Sequence, residues 1–171
     1  MKCKLLIGVM VIPLMSFAIA PNIEVGFSPD GSSLPLVLKA INSSHSSLCV
    51  AAYSFTSKPI SEAIYSAYKR GVVVKIVADE KANKGKYSAS KYLANHGVDV
   101  RLNNNYAIMH NKFIVVDQQT VETGSFNYSQ AAVSKNAENV IVLWNNPDIA
   151  SKYQAQCETL YKQGYKLNAS Y

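Results

Sequence analysis

The sequence predicts an α/β domain in which a mixed, largely parallel sheet carries helices on both faces. Stretches of strand length alternate with stretches of helical apolar spacing over residues 23–102. Residues 72–78 form a near-continuous β-branched run, the mark of a strand covered on both sides. No Pro/Ser-rich linker or composition break divides the chain, so one core is expected. The 171 residues are 49% hydrophobic and 16% charged, with 8 Gly and 6 Pro, a composition that excludes a disordered chain, a collagen-like repeat and a disulfide miniprotein.

The elements follow in order. Lys2 and Lys4 precede an apolar stretch over 5–12 that resumes after Pro13 over 14–19, the pattern of a secretory signal cleaved near 18–20. The alternative, a membrane anchor, wants about 20 uninterrupted apolar residues, and Pro13 breaks this run. Residues 1–20 are therefore read as leader and 21–171 as one domain. Loss of Lys2 and Lys4 lowers the 17 basic residues to 15 against 11 acids, a net charge of +4. Such a mild excess favours polyanions without choosing among them. With Cys3 removed, Cys49 and Cys157 remain, either bridged in an oxidising compartment or, for Cys49, buried as a small free thiol.

In the mature chain, 23–27 reads as a strand ended by Ser28-Pro29-Asp30-Gly31, 34–41 as a helix and 48–55 as a strand. A helix follows over 59–70, capped by Thr56 or Ser57 and stopped by Gly71. Strand 72–78, helix 87–96 and strand 98–102 complete a βαβαβαβ order, which argues for parallel pairing. The rhythm then changes to strands at 112–116, 120–123 and 139–144 and a terminal helix over 147–163, so the sheet is mixed.

The chemistry-bearing segment begins at His110-Asn111-Lys112. Residues two apart on a strand share a side, so an imidazole and an ammonium project together, as phosphoryl transfer requires. Asp117 stands seven positions beyond His110, an odd separation that turns it to the opposite face. Thr123-Gly124-Ser125-Phe126-Asn127 offers a hydroxyl, a carboxamide and backbone donors to an oxyanion, and Glu138 precedes an apolar strand. Singly, each has an ordinary structural explanation.

Together these residues resemble the phospholipase D superfamily, whose signature is His, any residue, Lys, four residues, Asp, then Gly-Ser-any-Asn. Val25-Gly26-Phe27-Ser28-Pro29, Ala52-Tyr53-Ser54-Phe55-Thr56 and Glu122-Thr123-Gly124-Ser125-Phe126-Asn127 extend the likeness to the small bacterial endonuclease branch known as Nuc. The resemblance implies an α/β/α sandwich around a mixed sheet. It implies that His110 attacks phosphorus, that Lys112 and Asn127 hold the non-bridging oxygens, that Ser125 supports the site, and that Glu138 accepts a proton from the imidazole and orients it. Asp117 and Gly124 then belong to the motif structurally, and the periplasm or the medium is the expected location.

An in-line displacement with a poor alkoxide leaving group needs a nucleophile on one side and an acid on the other. His45 and His96 lack a Lys two residues later, so a second motif must come from a second chain. A homodimer sharing its active site across the twofold is expected. The acids are scattered, with Asp79-Glu80 their one adjacent pair, read as a solvated loop pair, and no Cys/His cluster has zinc spacing. No metal and no other cofactor is expected. Lys81, Lys84 and Lys86 with Lys91 around the loop after 72–78 are candidate phosphate contacts, which would make binding salt-dependent and sequence-tolerant. The leading reading is an exported, metal-independent phosphodiesterase, a homodimeric endonuclease that cuts DNA in the first place and RNA in the second, with little sequence preference. The alternatives are a phospholipase D acting on lipid headgroups and a catalytically silent polyanion-binding module. The mature chain shows no amphipathic membrane-facing helix, so no stable membrane insertion is expected after leader removal.

Overall fold

The computed structural model describes residues 22–168; the expected leader and its cleavage site lie outside the described residues. In chain order the elements are β1 (Asn22–Ser28), α1 (Ser33–Asn42), β2 (Ser47–Ala52), α2 (Lys58–Lys69), β3 (Val73–Asp79), α3 (Glu80–Asn83), α4 (Ala89–Asn95), β4 (Asp99–Asn103), β5 (Phe113–Val116), β6 (Thr120–Gly124), α5 (Gln130–Ser134), β7 (Glu138–Trp144), α6 (Pro147–Gln163) and β8 (Tyr165–Lys166). The helices arise where apolar residues recur at helical spacing. Ile60, Ile64 and Ala67 bury one side of α2, which opens with a proline in its first turn and stops before Gly71, whose φ of 93° a side chain would strain. α6 likewise opens on Pro147, capped by the Asn146 side chain accepting from the Ile149 amide.

The strands form one sheet in the order β1-β7-β6-β5-β2-β3-β4-β8. α1, α2 and α4 cover one face through Val37, Ile41, Ile64 and Leu93, and α6 covers the other through Ala150, Cys157 and Leu160. The expected α/β/α layering on a mixed sheet is present. Its parallel part is confined to β2, β3 and β4; the other pairings are antiparallel, so the description "largely parallel" holds only there. The reason lies in β1, which crosses to the far edge and pairs antiparallel with β7 instead of joining β2.

Cys49 in β2 and Cys157 in α6 are joined by a disulfide, which resolves the choice between bridge and free thiol and ties the single-helix layer to the middle of the sheet. α6 does not reach β1. On the α6 side of that strand Ile23, Val25 and Phe27 stay more than half exposed, opposite Leu143, Ile141 and Asn139 of β7. Among the described residues no helix is long and apolar enough to cross a membrane.

The strand directions bring several functional ends to one edge of the sheet. β2, β3, β4 and β6 finish there, and β5 and β7 start there.

Candidate active site

A 530 Å³ cavity opens at that edge, lined by His110, Lys112, Ser125, Asn127 and Glu138 together with Tyr153 and their chain neighbours. All five residues singled out for chemistry therefore converge. β5 starts only at Phe113, so His110 and Lys112 lie in its lead-in rather than on the strand. They are held together differently from the expected strand pleat: the Lys112 ammonium donates to the His110 carbonyl at 2.8 Å. The lead-in is anchored by Met109, which is buried and whose amide donates to Asp79 Oδ2 at 2.9 Å. Asp79 also caps α3 by accepting from the Ala82 amide. It is buried, and Glu80 accepts from the Tyr165 hydroxyl, so the two are not a solvated pair.

His110 is exposed to the cavity while Lys112 is buried. Burial lowers the Lys112 pKa, and the Glu138 carboxylate opposes that shift. Tyr53, outside the five chemical positions, frames both groups. The Tyr53 ring, just past the end of β2, packs 4.6 Å from the His110 ring, and the Lys112 ammonium lies 5.2 Å from its centre. The signal was present only as part of the Ala52-Tyr53-Ser54-Phe55-Thr56 likeness.

The opposite wall is the turn from β6 into Ser125. Ser125 Oγ donates to Glu138 Oε2 at 2.6 Å and accepts from the Asn139 amide, and Asn136 Nδ2 donates to Glu138 Oε1 at 2.9 Å. Among the described residues Glu138 is held by Ser125 and Asn136, and no hydrogen bond joins it to the His110 ring. The Asn127 carboxamide oxygen is buried without a hydrogen-bond partner among the described residues, and its backbone carbonyl accepts from the Ser129 amide. Gly124 is required by close approach: a Cβ there would sit 2.1 Å from the Asn139 carbonyl oxygen.

Asp117 lies at the far end of β5. Its carboxylate accepts from the amides of His45, Ser46 and Ser47 and from the Ser46 hydroxyl, and these bonds outweigh desolvation and keep its pKa below the usual value. Its structural part follows from being at the opposite end of the strand rather than from facing the other side. The three candidate phosphate-contact lysines diverge. Lys81 reaches the Ala107 carbonyl, Lys84 pairs with Glu80, and Lys86 lines a separate groove. Among the described residues no group of three or more His, Cys, Asp or Glu side chains is placed to hold a metal ion.

An exposed imidazole beside a buried ammonium, facing a hydroxyl and a carboxamide, can attack and hold a phosphorus centre; fold and site define a phosphodiesterase. Residues 37–161 match the family model described as "Cardiolipin synthase, PLD-like domain", and the chain belongs to the phospholipase D superfamily. It is 45% identical to Nuc of Salmonella typhimurium, a phospholipase D family member whose crystal structure superposes with a TM-score of 0.86 over 88% of this chain and 100% of that one. NucT of Helicobacter pylori is 26% identical, with a TM-score of 0.80 over 86% of this chain and all of that one. The phospholipase D of Rickettsia typhi is 33% identical over 132 residues, 77% of this chain and 64% of the relative. The chain thus spans slightly less than two thirds of that relative's length.

Proposed function

We propose that this phosphodiesterase is an exported, metal-independent endonuclease that cuts DNA and RNA through a phosphohistidine on His110 and works as a homodimer. The observation that carries the reading is the convergence of His110, Lys112, Asn127 and the Ser125–Glu138 pair on one cavity. A neutral His110 ring nitrogen forms a bond to phosphorus as the bond to the leaving oxygen breaks. Lys112 and the Asn127 amide balance charge on the non-bridging oxygens. The second copy's His110 gives its proton to the leaving oxygen and then accepts one from the water that hydrolyses the phosphohistidine. Glu138, oriented by Ser125 and Asn136, sets the field around this exchange.

The second copy has a surface to use. Ile23, Val25 and Phe27 form an uncovered apolar stripe, and Phe27 and Ser28 face Asn139 and Glu138 in register. The stripe therefore runs up to the site itself, where a twofold partner would have to meet it. The Cys49–Cys157 bond fits an oxidising compartment, and the likeness to the Nuc branch favours nucleic acid over lipid. The name of the rickettsial relative keeps lipid headgroups as the rival substrate.

The test incubates the purified protein and His110→Ala with supercoiled plasmid, single-stranded DNA, RNA and phosphatidylcholine in excess EDTA. The expected result is nucleic-acid cleavage lost in the variant and an acid-labile phosphoryl adduct on His110. Choline release without cutting would transfer the function to lipids, and binding without turnover would make the chain a silent module. By sedimentation, Phe27→Glu should convert dimer to monomer and lower activity; a fully active monomer would refute the shared site.

A further inference from the structure

We infer that the groove between α2 and α4 is a second nucleic-acid subsite, taking an unpaired base and its flanking phosphate from the strand whose scissile diester sits at His110. The inference rests on the endonuclease reading. The groove is a 610 Å³ cavity whose walls include Lys58, Lys86, Tyr87, Lys91 and Tyr92, a volume suited to a small organic group. Tyr87 is 85% exposed, the most exposed of the large hydrophobic side chains among the described residues. An aromatic ring displayed in this way offers a stacking face that any base can use. The Lys86 ammonium lies 5.7 Å from the ring centre, where it can meet a phosphate next to a stacked base.

Charge favours the same occupant. Lys86 and Lys91 form no ion pair among the described residues, and Lys58 makes only an exposed contact with Glu62 at 3.7 Å, which salt screens easily. Three ammonium groups against one carboxylate suit a phosphodiester strand and disfavour an acyl chain.

The groove is also coupled to the catalytic cavity. Tyr53 packs on His110, and three residues later Thr56 lines the groove. Three residues span at most about 11 Å, so the two walls lie within reach of one short stretch of strand. The connecting loop is fixed on both sides. The Ala89 amide of α4 donates to the Phe55 carbonyl, and the amides of Thr56 and Ser57 donate to the carbonyl of Tyr128, the neighbour of Asn127.

The experiment compares a single-stranded DNA 20-mer with bis(p-nitrophenyl) phosphate in wild type, Tyr87→Ala, Tyr87→Phe and a Lys86→Ala/Lys91→Ala double variant. Tyr87→Ala should raise the KM for the 20-mer about tenfold while its kcat and the small-diester kinetics stay within about twofold. Tyr87→Phe should retain wild-type KM, and the double variant should flatten the salt dependence of KM by about 1.4 in log–log slope. An unchanged 20-mer KM in Tyr87→Ala, or an equal loss on the small diester, overturns the subsite while leaving the nuclease intact. If wild type does not cut the 20-mer, fluorescence anisotropy with the labelled strand decides: binding weakened by Tyr87→Ala upholds the groove although the nuclease reading fails, and binding indifferent to Tyr87 overturns both.

Discussion

The Tyr128 hydroxyl donates to Glu122 Oε2 at 2.6 Å, and neither side chain reaches solvent. Glu122 lies two residues before Gly124 and Tyr128 directly after Asn127, so this bond closes the segment that forms one wall of the catalytic cavity. The Glu122 Oε1 atom has no partner among the described residues. Burial pushes the carboxyl up to about 8 from an ordinary 4.5, against the opposing effect of the Tyr128 bond. Near neutral pH it is held mostly as the acid.

A raised folded pKa fixes the sign of the pH dependence. The unfolded chain loses this proton near 4.5 and the folded chain only near 8, so the stabilisation is complete below the lower value and is lost as pH rises through the upper one. Glu122→Gln keeps an acceptor for Tyr128 and cannot ionise. Denaturant melts across that interval should show wild-type stability falling relative to the variant, and parallel curves would mean that the carboxyl is already ionised.

Gly124→Ala should cost both stability and activity. The added methyl would collide with backbone, the Asn139 carbonyl, which no side-chain rotation can relieve. Separation of β6 from β7 there would break the Ser125 contacts with Glu138 and Asn139. We expect a loss of about 2 kcal/mol or more in chemical denaturation and kcat reduced at least tenfold. Unchanged kinetics would show that the Ser125–Glu138 contact is dispensable.

Asp117→Ala separates the motif's structural member from its chemical ones. It leaves three amides and a hydroxyl without their shared acceptor; a bond to a charged group contributes about 1.5–3 kcal/mol net, and at this partly exposed site water takes over part of the lost set. A stability loss of about 2 kcal/mol with kcat per folded molecule nearly unchanged is expected, read by urea melts beside active-site titration. A selective loss of kcat would place Asp117 in the chemistry after all.

What was legible in the sequence follows from how many residues carry each signal. β3, α2 and α6 announced themselves because long apolar periods leave little freedom. α3, α5 and β8 are too short to hold a period, with 4, 5 and 2 residues. The place of β1 beside β7 was hidden because strand periodicity encodes faces, not neighbours. The five chemical positions were legible through their ordered spacing. Tyr53, Asn136 and the Glu122–Tyr128 pair were not, since their roles depend on which loops meet at the sheet edge. Lys81 and Lys84 stand beside Lys86 in sequence, yet in the fold each finds an intramolecular partner.

Reduction should reveal how much the Cys49–Cys157 bond contributes. It closes a span of 108 residues between two buried sulfurs, for which constraint of the unfolded chain is worth about 5 kcal/mol. A lowered unfolding midpoint in dithiothreitol is expected, and a midpoint indifferent to reductant would mean that packing of α6 suffices.

β1 and β8 occupy the two outermost positions of the sheet. Seven inter-strand spacings of about 4.8 Å separate them by roughly 34 Å. A fluorophore or surface tether attached at Lys166 in β8 therefore sits a full sheet-width from the Ile23–Val25–Phe27 stripe, whereas one attached at Asn22 in β1 lies alongside it. Handles for immobilisation belong on the former side, and distance probes meant to sense a neighbouring molecule on the latter.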